Sequence, residues 1–565
     1  MTGGDTPFGL TRLHDPDQAA AHTWWRDAVI YQVYPRSWAD SDGDGIGDLP
    51  GITARLTHLG DLGVDALWLS PFYRSPQHDA GYDVADYRDI DPLFGSLADA
   101  DELIARAHKL GLKVIVDLVP NHTSSEHPWF VEALAGAPGG PERARYIFRD
   151  GRGDGSEPPN DWRSVFGGEA WTRVIEADGR PGQWYLHLFD VTQPDLAWDN
   201  EEVRAEFVSI LRYWLDRGVD GFRVDVAHGL VKAPGLPDWP HRPGGLLEVT
   251  SESPFWDQDG VHEIYREWRT VVEEYDSPER ILVAEAWVRP AERAARYVRS
   301  DEFHQAFNFD FLETPWRAAD LREVIAESLR AGDSVGAPAT WVLSNHDVLR
   351  HASRLGLPQD GERPNGITAD DPQPDAELGL RRARAATLLM LALPGGAYLY
   401  QGEELGLPEH TALDAHYRED PTFFRTSGTE VGRDGCRVPM PWAGDAPGFG
   451  FGPTGATWLP QPAVYGDLAV DQQRGVAGST LELYREVLRL RRSLALVRGA
   501  LDEVSGLGDD VVAYVVTSGE QRTLVLANLG GEAVPLPPEA TVLVSSAPLD
   551  GETVPTDVTV WARLP

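Results

Sequence analysis

Cysteine is almost missing from this 565-residue chain: Cys436 stands alone, which leaves no internal disulfide and fits a reducing compartment. Long apolar runs are missing too. No stretch of about 18 apolar residues occurs, and no basic segment followed by an apolar one opens the chain, so neither a membrane span nor a signal peptide is expected. The expected compartment is therefore the cytoplasm. Basic residues are heavily outnumbered, with 50 Lys and Arg against 89 Asp and Glu, for a formal charge of −39. Such a field repels nucleic acid, anionic membrane surfaces and phosphorylated substrates, and it leaves neutral or cationic small molecules as partners. No glycine-rich phosphate loop follows the first strand-like run, which argues against an open dinucleotide-binding sheet.

What is present is a repeating grammar. Apolar content of 42% supplies a large core, and the length calls for one large domain with smaller attachments. After a polar arm to about Ala21, strand-like runs alternate with amphipathic helical stretches. The runs are Ala28 to Tyr34, Ala66 to Leu69, Val114 to Val119, Phe222 to Val226, Ile281 to Val283, Phe307 to Phe311, Trp341 to Leu343 and Ala397 to Tyr400. Ser96 to Leu110, Glu201 to Arg217 and Arg381 to Leu393 carry the helical spacing between them. Strand–helix alternation makes a parallel sheet, and eight units make a closed (β/α)8 barrel. The expected division is residues 1–122 and 193–494 for the barrel, with 123–192 inserted as a lid domain after the third strand. A second insertion covers about 407–471, and 495–565, with short alternating strands such as Val511 to Val516, forms a C-terminal antiparallel β domain.

A parallel barrel brings its strand ends to one face, so residues distant in sequence meet there. The third strand ends in Asp117 and Asn121-His122, the fourth in Arg223 and Asp225, the fifth in Glu285 and the seventh in Asn345-His346-Asp347. Within the fourth, Arg223 and Asp225 share one side of the strand, so the arginine can hold the carboxylate ionised. Metal ligation is the rival use of these residues. The absence of a close His pair on one element and the presence of Arg223 favour paired-carboxylate chemistry instead.

Four of these segments, Asp117-Leu118-Val119-Pro120-Asn121-His122, Gly221-Phe222-Arg223-Val224-Asp225, Val283-Ala284-Glu285 and Ser344-Asn345-His346-Asp347, resemble the signature regions of the α-amylase superfamily. Gln193-Pro194-Asp195-Leu196 is similar to the extra motif of its α-glucosidase and oligo-1,6-glucosidase branch, although Ala197 follows where asparagine is usual. The resemblance implies a retaining, exo-acting α-glucosidase on short neutral oligosaccharides. It makes Asp225 the nucleophile, Glu285 the general acid/base and Asp347 the stabiliser of the transition state, with His122, His346 and Arg223 binding around them. Apolar neighbours should raise the pKa of Glu285, and Arg223 should lower that of Asp225. In Asp79-Ala80-Gly81-Tyr82, the resemblance makes Tyr82 a stacking platform and Asp79 a clamp on the terminal sugar, paired with Arg437. A transglucosylase or a sucrose- or trehalose-type isomerase shares all these residues. A non-catalytic binding subunit would have lost the acidic triad.

Asp40-Ser41-Asp42-Gly43-Asp44-Gly45-Ile46-Gly47-Asp48 sets carboxylates at alternate positions, the oxygen-rich pattern that suits Ca2+, with the Ile46 carbonyl as a further ligand. It is no EF-hand, because Gly51 replaces the bidentate glutamate. The resemblance implies a structural calcium at Asp40, Asp42, Asp44, Ile46 and Asp48, with magnesium as the alternative.

Overall fold

The computed structural model describes residues 9–16, 23–239, 253–361 and 364–565. Eight parallel strands form the barrel sheet: Val29–Val33, Ala66–Leu69, Lys113–Leu118, Gly221–Val224, Ile281–Ala284, Gln305–Ala306, Thr340–Val342 and Gly396–Tyr400. Most read as continuous Val, Ile, Leu and Tyr because both faces are covered, helices outside and packed side chains within. Trp68, Ile115, Val283, Phe307 and Tyr398 fill the interior. The outer core lies between the sheet and helices such as Glu201–Asp216, which buries Phe207, Leu211 and Trp214 on one face and is capped by Asn200.

The sixth strand departs from expectation. Phe307 to Phe311 has strand-like aromatic content, yet the Asn308 side chain accepts from the Phe311 N–H and caps a helical turn, Phe309–Glu313. The strand shrinks to Gln305–Ala306, and the sheet order 6-5-4-3-2-1-8-7 leaves strands six and seven without a backbone ladder among the described residues. The Thr340 hydroxyl, donating to the Ala306 carbonyl, crosses that seam.

Residues 123–192 hold the helix Pro128–Ala135 and a three-stranded sheet, Phe148–Arg149, Pro181–Leu186 and Trp171–Ile175. Within 407–471 there are only short helical turns. The C-terminal sheet corrects the assignment of the polar N-terminal arm to the barrel with the rest of residues 1–122. Gly9–His14 pairs antiparallel with Ala500–Ser505 and completes a six-stranded sheet, with Arg12 bonded to Asp502 at 2.6 Å. No helix among the described residues is long and apolar enough to cross a membrane.

The sheet docks on the barrel through helix Ala376–Ala392, where Trp561 donates to the Leu388 carbonyl at 3.0 Å. Beside it Asp557, buried, accepts from Trp316 Nε1 at 2.7 Å and Arg382 Nε at 3.0 Å. Removing that acceptor strands a buried indole N–H and a guanidinium. Asp557→Ala should therefore cost about 3 kcal/mol in urea unfolding, and Asp557→Asn, which keeps one acceptor, should cost less. Equal and small losses for both variants would show that the contact is dispensable.

Candidate active site

Register builds the centre of the site. Arg223 lies opposite Asp117 in the ladder between strands three and four, so the two are cross-strand neighbours before any loop is considered. The Arg223 Nη1 donates to Asp117 Oδ1 at 2.9 Å and to Asp225 Oδ1 at 2.5 Å, and its Nη2 stands 3.9 Å from Glu285 Oε2. Trp68 Nε1 and the Tyr82 hydroxyl donate to the other Asp117 oxygen at 3.2 and 3.0 Å. One buried guanidinium thus serves three buried carboxylates.

That sharing corrects the expectation that Arg223 keeps the Asp225 pKa low. Burial dominates and, with the charges of Glu285 and Asp347 added, pushes Asp225 up to about 7 against the pull of Arg223. Burial likewise pushes Asp117 to about 7 and raises Glu285. Glu285 is held at both oxygens, by the Val226 N–H at 2.7 Å and by Trp287 Nε1 at 2.6 Å. Val226 donates from a left-handed backbone, φ 46°, which a β-branched residue adopts only at a cost. The indole of Trp287 is fixed by stacking on Phe309 at 3.7 Å.

Asp347 is the opposite case. Burial would raise its pKa, but His346, Arg433, Arg437 and Arg223 outweigh it and hold the carboxyl below its ordinary value. Its contacts are Arg433 Nη1 at 2.9 Å, Arg437 Nη2 at 3.1 Å and His346 Nε2 at 3.3 Å. His346 takes a hydrogen bond at Nδ1 from Gln32 at 2.7 Å and stacks on Tyr82 with ring centres 5.3 Å apart. Burial pushes the His346 pKa down against the pull of Asp347, and burial lowers His122 to about 4. His122 lies against the Tyr82 carbonyl at 3.1 Å and Gln193 Nε2 at 3.2 Å.

Asp79, Tyr82, His122, Asp225, Glu285, His346 and Asp347 border one cavity of about 760 Å³. Arg223 and Arg437 stand behind this wall. The partner expected for Asp79 was Arg437; it is Arg433, whose Nη2 donates to Asp79 at 2.9 Å while its Nε donates to Asp420 at 2.6 Å. Arg437 instead bonds the His346 carbonyl at 2.9 Å and supports Asp347 from behind. Gln193, also unassigned from sequence, donates to Asp79 at 3.0 Å, so its motif ties the lid to the cavity end. Lys232, whose side chain is buried, pairs with Asp195 at 2.8 Å and Asn121 at 2.9 Å and carries no sequence signal.

In the acidic loop, carboxylate oxygens of Asp40, Asp42 and Asp48 converge within 4.8 Å of one another, and Asp44 falls outside this group. Asp44 accepts from the Ile46 N–H at 2.7 Å. No ion pair reaches any of the four acids among the described residues. A hard divalent cation fits this all-oxygen set of three convergent carboxylates.

The linkage between burial and charge has a measurable sign. Asp225 protonates more readily folded than unfolded, so its contribution to stability is present at low pH and is lost as pH rises through about 7. Asp225→Asn should therefore melt above the wild type at pH 8, with the gain shrinking toward pH 5. A gain independent of pH, or a loss at pH 8, would contradict the burial argument.

Comparison with known proteins places the chain in a family. A family model described as alpha amylase, catalytic domain, matches residues 32–499. A probable alpha-glucosidase of Rhizobium meliloti (strain 1021) is 38% identical over 550 residues, covering 94% of this chain and 93% of its own. An oligo-1,6-glucosidase of Parageobacillus thermoglucosidasius is 36% identical, covering 89% and 90%. The crystal structure of an alpha-glucosyl transfer enzyme, XgtA, superposes with a TM-score of 0.84 at 36% identity, covering 96% of this chain and all of that one.

Proposed function

We propose, from the premise that this chain belongs to the α-amylase family and is a glycoside hydrolase of the α-glucosidase type, that it removes terminal α-linked glucose from short neutral oligosaccharides with retention of configuration. The observation that carries the reading is the closed end of the cavity. Arg433 joins Asp79, Asp347 and Asp420 at the cavity wall, and this ion-paired cluster would face a terminal sugar's hydroxyls and stop a chain from continuing past it. That is the shape of an exo-acting enzyme.

In the first step the Asp225 carboxylate attacks the anomeric carbon while Glu285 gives its proton to the departing glycosidic oxygen. The C–O bond breaks, the leaving sugar departs neutral, and a glucosyl ester forms on Asp225. Glu285, now a carboxylate held by Val226 N–H and Trp287 Nε1, then takes a proton from water. That water attacks the same carbon and releases glucose and the Asp225 carboxylate. Asp347, ionised between two arginines, stabilises the positive charge that spreads over the ring in both transition states. His122, His346 and Tyr82 bound the sugar.

A second reading is transfer to an acceptor sugar in place of water, favoured by the 36% identity to an alpha-glucosyl transfer enzyme. Product analysis on maltose, isomaltose, sucrose and trehalose separates the two. Glucose accumulating without longer products supports hydrolysis, and oligosaccharides appearing first support transfer.

For linkage, the structure sets Val226 in the cavity wall directly after Asp225. In this branch valine there resembles enzymes that cleave α-1,6 bonds, and a smaller residue resembles α-1,4-selective ones. The branched side chain crowds the leaving sugar, and the extra methylene of an α-1,6 bond lets that sugar swing clear. Val226→Ala should move the ratio of kcat/KM for maltose over isomaltose upward by roughly tenfold, within the range that a methyl or two commands. Movement toward isomaltose would remove Val226 as the linkage gate.

We also propose a structural Ca2+ at Asp40, Asp42 and Asp48, where the ion would neutralise three convergent charges and pin the loop ahead of helix Leu49–Leu62. Chelation or Asp42→Ala should lower the Tm more than it lowers turnover of the enzyme that stays folded. A Tm indifferent to millimolar calcium would overturn this.

A further inference from the structure

Beside the cavity, the second insertion hydrogen-bonds the lid through Arg425. Arg425, the last residue of the five-residue helix Pro421–Arg425, donates from Nε to the Gly167 carbonyl at 2.7 Å and from Nη2 to the Glu169 carbonyl at 3.1 Å. Its Nη1 reaches Asp190 Oδ1 at 3.3 Å. The lid loop is shaped to receive it. Gly167 and Gly168 take φ +98° and +78°, and a Cβ on them would come within 3.2 Å of Thr426 and of the Arg425 guanidinium respectively. Glycine is needed there for both backbone and space.

The gripped segment carries cavity wall. Phe166, just before the two glycines, lines the cavity and packs 5.6 Å from Phe189, and the Arg433 guanidinium sits over its ring at 5.1 Å. At the other end of the same short helix, Asp420 caps the Thr422 N–H at 2.9 Å and holds Arg433 Nε at 2.6 Å. One short helical turn thus links Arg433 to the lid loop, both of which line the cavity.

We propose that Arg425 is a positioning residue that locks the lid loop 163–170 against the pocket, so that Phe166 and Arg433 are set for substrate before it arrives. It touches no substrate itself. The inference rests on the glucosidase reading for its kinetic consequence, but not for its structural one. Preorganisation of a wall acts on binding more than on bond making.

The test uses the full-length enzyme with Arg425→Ala and Arg425→Lys. Arg425→Ala should raise KM for maltose and isomaltose about tenfold with kcat changed less than about threefold. Amides of Ser164 and Gly167, bonded within the loop at 3.1 and 3.0 Å, should exchange faster with deuterium. Arg425→Lys should fall between, because an ammonium cannot span the three acceptors that a planar guanidinium reaches together. A fall in kcat and Tm with KM unchanged, or unaltered exchange at 163–170, would overturn the proposal. If the wild type cleaved neither disaccharide, the glucosidase reading would fail, and the exchange measurement alone would decide for or against the latch.

Discussion

Arg223 is the constraint on which the site depends. A guanidinium buried beneath a ring of carboxylates cannot be removed without leaving Asp117, Asp225 and Glu285 close together with no cation between them, and it cannot satisfy all three fully. Burial lifts their pKa values, and the divided guanidinium offsets it only in part. A nucleophile poised near neutrality beside an acid whose pKa is also raised is the consequence of burial, offset only in part by one cation divided among several anions. Asp347 escapes the deficit because two further arginines attend it. The acids therefore differ through their neighbours, since their residue types alone would make them alike.

Backbone strain supplies the second element. The chain turns at Val226 into the left-handed region, and that turn aims its N–H at Glu285. A single residue thereby couples the strand end that carries Asp225 with the orientation of Glu285, and its side chain lines the cavity. The cost of a left-handed valine is met by the packed surroundings of Phe255, Trp256 and Ala197. Outward from there the structure is a series of supports, Tyr82 on His346, Arg437 on the His346 carbonyl, Gln193 on Asp79, each fixing a group that faces the cavity.

The barrel was legible because parallel strands buried on both faces leave an unbroken apolar record, and the acids were legible because strand ends must converge. What sequence could not resolve was local geometry. Arg433 and Arg437 lie in one short stretch, and only the turn Asp434–Cys436 between them decides that the first enters the cavity and the second stands behind it. The strand Gly9–His14 was read as an arm because its partner lies 490 residues away, beyond any local pattern. Phe307 to Phe311 kept a strand's composition while Asn308 imposed a cap, a competition that periodicity does not register. The Asp225 pKa goes the other way from expectation because the arginine is visible in sequence, whereas the depth of burial, which dominates, and the added charges of Glu285 and Asp347 are not.

The central claim is that Asp225 and Glu285 act as a nucleophile and acid pair anchored by Arg223, and it has one stereochemical signature. Proton NMR of the glucose first released from maltose or isomaltose, recorded before mutarotation, reads it directly. Two displacements at the anomeric carbon give α-glucose first. Initial β-glucose would mean a single displacement by water, and Asp225 would not be a nucleophile.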